Sequence, residues 1–276
     1  MLTRLTLVAA LSITPMLASA NASKEDVAAL FAAMELPEMI EMMREEGLEY
    51  GEQIAQDLFP DRVSVNWPDQ VSQIYDYEMM RNGLETQFGV ALGDVDIDTL
   101  VTFFESDTGQ AIVELEIAAR RALMDDDFEE ASKEAAAIAI ADNSPRFGLI
   151  TKFVEANDLV ETNVVGAMNA NYAFYLGLMD GGAFAQELTE DQILTDVWSQ
   201  EDEIRKNTYE WVYSYLLLAY QPLSDDELQS YIAFSESAEG QVVNTALFVA
   251  FDEMFEGISR ALGLAASQYM VGQDLL

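Results

Sequence analysis

Four carboxylates invite a chemical reading first. Asp94, Asp96, Asp98 and Glu105 fall at positions 1, 3, 5 and 12 of the pattern that a calcium-binding helix-loop-helix motif uses. Thr99 occupies the position where that loop needs glycine, and Ile97, Leu100, Val101 and Phe104 keep a helical period. The preferred reading is therefore an acidic helix start, which the helix dipole favours, over a calcium loop. Met39, Met42 and Met43 offer soft thioether sulfurs that suit Cu(I). Only Met43 lies on the expected inner face, and methionine more often fills irregular core space. The aromatic run "YEWVYSYLLLAY" (Tyr209 to Tyr220) reads as a buried helix face before it reads as a ligand groove. "MDDDFEE" (Met124 to Glu130) contains carboxylates for glycoside-type hydrolysis, but a solvated helix end explains it more simply.

The chain has no histidine and no cysteine. That removes histidine-based triads, thiol nucleophiles and zinc sites with nitrogen or sulfur ligands. There is no glycine-rich phosphate loop. No catalytic, cofactor-binding or metal residue is assigned.

The elements around these residues read as helices. Ile40, Met43, Gly47, Tyr50, Ile54 and Leu58 form one stripe, and "FPDR" ends it. A further helix is expected from Trp67-Pro68 towards Phe88, closed by "ALGD". Ile97 to Phe104 forms a short helix, and Ser106 can cap the next, whose buried stripe is Ile112, Leu115, Ala119 and Leu123. Asn143-Ser144-Pro145 is the clearest interior break, because proline disfavours helix in the residue before it.

After that break the pattern repeats. Phe153 to Leu159 resembles Leu30 to Leu36 at an offset of 123, and a long amphipathic helix follows each. Leu92 to Gln110 aligns without gaps on Leu223 to Gln241 at an offset of 131, with seven identities in nineteen pairs. That density implies a tandem duplication of one helical unit, with "FFESDTGQ" and "FSESAEGQ" as corresponding αα-hairpin corners. The growing offset is expected to reflect extra residues in the "DGGAFAQELTED" connection. The fold class is all-α: two tandem units, 21–145 and 146–276, behind a signal segment, 1–20.

The L-x-x-x-x-x-F-x-x-S-x-x-G-Q pattern resembles the signature of the bacterial DUF2059 family, a domain of unknown function. Phe103, Ser106, Gly109 and Gln110 fit it, as do Phe234, Ser237, Gly240 and Gln241; Asp107 and Ala238 stand where the family favours proline. The family-like segments are 92–124 and 223–255. The resemblance implies a helical fold and an envelope location, and it carries over no catalytic residue.

The first twenty residues place Arg4 ahead of an apolar run that ends in Ala18-Ser19-Ala20, the form of a secretory signal cleaved after Ala20. The expected location is periplasmic or secreted. The whole chain carries 50 acidic and 13 basic residues, net −37, which becomes −38 without Arg4. Such a field repels phosphate backbones, so nucleic acid is excluded as a partner. Half the residues are nonetheless hydrophobic, which argues for a packed core. No later stretch reaches the length of a membrane span.

These features point to a non-enzymatic envelope protein that acts through contact with an unknown protein partner. The alternative is a small-ligand or metal binder using the space between the units, and the weaker one a carboxylate-dependent hydrolase. Two buried carboxylates about 5 to 9 Å apart would favour the hydrolase.

Overall fold

The computed structural model describes residues 23–60, 66–184 and 189–271. The expected signal segment and its cleavage site lie outside the described residues. Among those residues there are thirteen helices and no strand. Before the break at Asn143 come α1 (Lys24–Ala33), α2 (Leu36–Leu58), α3 (Trp67–Ile74), α4 (Tyr77–Leu92), α5 (Ile97–Phe104), α6 (Asp107–Leu123) and α7 (Asp126–Ala141). After it come α8 (Pro145–Ala156), α9 (Leu159–Asp180), α10 (Glu190–Trp198), α11 (Glu201–Ala219), α12 (Asp225–Ser235) and α13 (Ala238–Val271).

Side-chain caps set most of the helix starts. Ser23, Asp76, Ser106, Asp125, Ser144, Thr189 and Ser224 each accept a backbone N–H from the first turn that follows. Asp76 splits what the sequence pattern reads as one helix from Trp67 to Phe88 into α3 and α4, because its carboxylate takes the Met79 N–H at 2.9 Å. Asp125 likewise places the acids of "MDDDFEE" on the exposed start of α7. The acids of 94–105 flank and enter α5, whose helix spreads them along its length.

Two expectations on the stripe of α2 need correction. Tyr50 is 48% exposed, and Gly51 takes the buried position instead, because a straight helix drifts away from a fixed spacing. Met42 is buried as completely as Met43, since α2 packs on two sides.

The two halves match in order. Helix starts are offset by 123 residues for α2 and α9 and again for α3 and α10, by 124 for α4 and α11, 128 for α5 and α12, and 131 for α6 and α13. Residues 185–188 of the "DGGAFAQELTED" connection, where extra length is expected, lie outside the described residues. The turns into α2 and α9 pass through Glu35 and Asp158, both left-handed, with φ of 49° and 50°.

Packing crosses between the halves. One core joins residues of α1 to α6 to Val243, Ala246, Ala250, Ile258, Leu262 and Ala266 of α13. The other joins residues of α8, α11 and α12 to Ile112 and Ala119 of α6. A third, small core of Val164, Met168, Ile193 and Val197 lies within the second half, between α9 and α10; in the two larger cores, a helix that follows a corner packs with residues of the other half. Phe103 and Phe234 meet where the halves cross, as parallel rings with centroids 3.6 Å apart.

The helices α9 and α13 approach backbone to backbone. A Cβ on Gly177 would strike the Arg260 carbonyl, and one on Gly263 would strike the Phe174 carbonyl. Helix propensity favours alanine over glycine by about 1 kcal/mol, whereas forced separation of packed helices costs about 1–3 kcal/mol. Gly177→Ala and Gly263→Ala are expected to lower the urea midpoint. Gly257→Ala, with open space around it, is expected to raise it; a rise in all three would contradict this account of the crossing.

Candidate functional site

The repeated octets form two corners with the same bonding. Ser106 Oγ donates to the Phe103 carbonyl at 2.6 Å and accepts the Gly109 N–H at 3.0 Å; Ser237 does the same with Phe234 and Gly240 at 2.6 and 3.0 Å. Gly109 and Gly240 are required because a Cβ at either would enter the carbonyl of the preceding phenylalanine. Gln110 Nε2 donates to the Ala33 and Phe104 carbonyls, and Gln241 Nε2 to the Ala156 and Ser235 carbonyls. Each glutamine therefore ties its corner to the end of the first helix of its own half. The sequence pattern contains these glutamines, but nothing local in it reveals the distant carbonyls they hold.

Between the two cores, against the corners, lies a cavity of about 280 Å³. Its walls draw on like-numbered positions of the two halves: Leu36 and Leu159, Val113 and Asn244, Glu116 and Leu247, Arg120 and Phe251. Most of the wall is apolar. Met39 and Met43 contribute to it, while Met42 turns into the core.

Glu116 is the single carboxylate among the described lining residues. Tyr220 donates its hydroxyl to Glu116 Oε1 at 2.5 Å, and Tyr231 donates to the same oxygen at 3.3 Å. Tyr215 donates to the backbone carbonyl of Glu116 at 3.1 Å. Surrounding protein desolvates the carboxyl, and the residue as a whole is half-buried. Burial pushes its pKa up to about 7, against the lowering effect of the two tyrosine hydrogen bonds. Burial first, and then the nearby carboxylate, pushes all three tyrosine hydroxyls well above their ordinary value, so they stay protonated and donate.

Arg120 follows one turn later on α6. Its Nη2 donates to Glu46 Oε2 of α2 at 2.5 Å, and its Nε is buried without an acceptor. The guanidinium is thus neutralised from behind and keeps one N–H unsatisfied.

Pattern reading of α6 passed over Glu116. It lies four residues after Ile112 and three before Ala119, on the buried stripe, and a carboxylate in that register was the available signal. The "YEWVYSYLLLAY" run combines both of its readings, since Val212, Tyr213 and Leu216 pack in the core while Tyr215 and Tyr220 also line the cavity. No group of three or more His, Cys, Asp or Glu that could hold a metal ion occurs among the described residues. Among them, no helix is long and apolar enough to cross a membrane.

Residues 78–137 match the model of a family described as "Uncharacterized protein conserved in bacteria (DUF2059)". The matched span runs from α4 into α7 and includes the first corner, Glu116 and Arg120. No curated protein and no solved structure matches the chain.

The folded protein holds the Glu116 proton more tightly than the unfolded chain, where the ordinary carboxyl value is 4.5. Its contribution to stability is complete below about pH 4.5 and is lost as the pH rises through about 7. Glu116→Gln keeps an acceptor for Tyr220 and Tyr231 but cannot titrate. Relative to this variant, the wild type is expected to lose stability as pH rises between those values, measured by urea unfolding; a difference independent of pH would refute the assignment.

Proposed function

We propose that the protein is an exported, non-enzymatic binding protein of the bacterial envelope. It is built from two tandem copies of a DUF2059-like unit, residues 21–145 and 146–276, and its ligand site is the cavity where they meet. The observation that carries this reading is one carboxylate, held by tyrosines, in a mainly apolar space between the halves. A mainly apolar pocket with a few convergent polar groups is the usual form of a small-molecule site. A glycoside-type hydrolase needs a second carboxylate, and the described lining residues supply none.

The duplication reading is supported by the shared helix order, the paired left-handed turns and the two corners with equal bonds. On that reading the copies have diverged where ligand would sit: Glu116 and Arg120 face Leu247 and Phe251. If the corners are equivalent, Gln110→Ala and Gln241→Ala each lose two hydrogen bonds and destabilise the protein by about 1–3 kcal/mol. A neutral result at one corner only would break the equivalence.

Export after cleavage at Ala20 and ligand binding can be read together by native mass spectrometry of protein isolated from its own cell envelope. The expected mature chain begins at Asn21 and carries a small adduct, and Leu247→Trp, which fills the cavity, loses that adduct. An intact first segment would overturn export, and an adduct retained by the filled variant would overturn the cavity as the site.

A second reading, contact with a protein partner, draws on a groove of about 650 Å³ between α4 and α13. It is lined by Met79, Met80, Met254 and several glutamines, with Glu253 as its one charge. On so acidic a chain, the complementary partner is an amphipathic helix with basic flanks. Cross-linking in the same preparation tests it, and a cross-linked partner unaffected by Met79→Glu would exclude this groove.

A further inference from the structure

We infer that the central cavity takes a small organic ammonium ion, an alkyl or arylalkyl amine whose charged head meets Glu116. The inference rests on the cavity being the ligand site and names the ligand class.

Three observations converge on a cation. Glu116 lines the cavity, and among the described residues its carboxyl is held by neutral tyrosine hydroxyls and by no basic group. Eight aromatic side chains line the same space, among them Phe104, Phe153, Tyr231 and Phe234. Aromatic faces attract ammonium groups, and the attraction strengthens where water is excluded. The net charge of −37 then raises the local concentration of cations around the molecule and disfavours anions.

The other groups around Glu116 fit the same occupant. Tyr220 at the end of α11 and Tyr231 of α12 donate to the carboxyl, and Tyr215 to the Glu116 backbone carbonyl, so two hydroxyls support the carboxylate once an ammonium arrives. Arg120 shares its charge with Glu46 of α2, which leaves little net charge to recruit an anion. The volume of about 280 Å³ lies at the small end of ligand sites, typically about 300–1,000 Å³, which limits the apolar part to one ring or a short chain.

The test compares three probes of similar shape on the full-length mature protein by calorimetry: phenethylamine, 2-phenylethanol and phenylacetate. The amine is expected to bind at least tenfold more tightly than either of the others and, near pH 7, to drive the Glu116 proton into the buffer. Glu116→Gln is expected to remove that preference and the proton release; Glu116→Leu serves the same purpose should the first variant fail to fold. Equal binding of amine and alcohol would overturn the ammonium assignment and leave the cavity as a site. Tighter binding of phenylacetate would overturn it in favour of Arg120. Failure of all three probes to bind would overturn the ammonium assignment and count against the cavity as a ligand site.

Discussion

The two larger cores of this chain each draw residues from both halves. The helix that follows each corner must therefore lie across the opposite half, α6 against α8, α11 and α12, and α13 along α4 as well as α9. At 34 residues, α13 is about 51 Å long, enough to line the first core along most of its length while crossing α9 through Gly177 and Gly263. Hydrophobic burial is roughly proportional to the area removed from water, so separating the halves would expose both cores together. The arrangement explains why Phe103 and Phe234, distant in sequence, end as a parallel pair at the crossing.

The same exchange creates the cavity. Two corners of equal geometry brought face to face leave a space bounded by corresponding residues, and what fills its walls decides its chemistry. An isolated carboxylate there would be costly to bury, and proteins satisfy such groups with hydrogen bonds or by keeping them protonated. Glu116 has both remedies available, because the tyrosines that reach it come from α11, α12 and the turn between them. A hydrogen-bonded polar cluster fixes the mutual position of these elements more strictly than apolar contact does.

Charge is organised around the same framework. Basic residues are few, and several sit where helices cross: Arg120 and Arg121 join α6 to α2, Arg205 joins α11 to α9, and Arg260 joins α13 to α9. Exposed pairs of this kind add little stability individually. Their position still matters, since each places a cation among an excess of acids at a contact between elements. Many acids stand in the first turns of helices, where the dipole offsets part of their repulsion.

Helix class, the break at Pro145 and the two matching corners were legible because each depends on local rules: period, capping and the φ,ψ limits of proline and glycine. Ser106 and Ser224 could be named as caps from spacing alone. The split at Asp76 was harder, since apolar spacing continues through Tyr75 while one carboxylate redirects the chain. The exchange of α6 and α13, the carbonyls that hold Gln110 and Gln241, and the pairing of Glu116 with tyrosines about a hundred residues away carry no local mark. Amphipathic helices advertise which face is apolar and never which partner covers it. The sequence by itself determined the helices and the excess of acid; only tertiary packing decided which helices share a core, and thereby placed one carboxylate at an aromatic cavity.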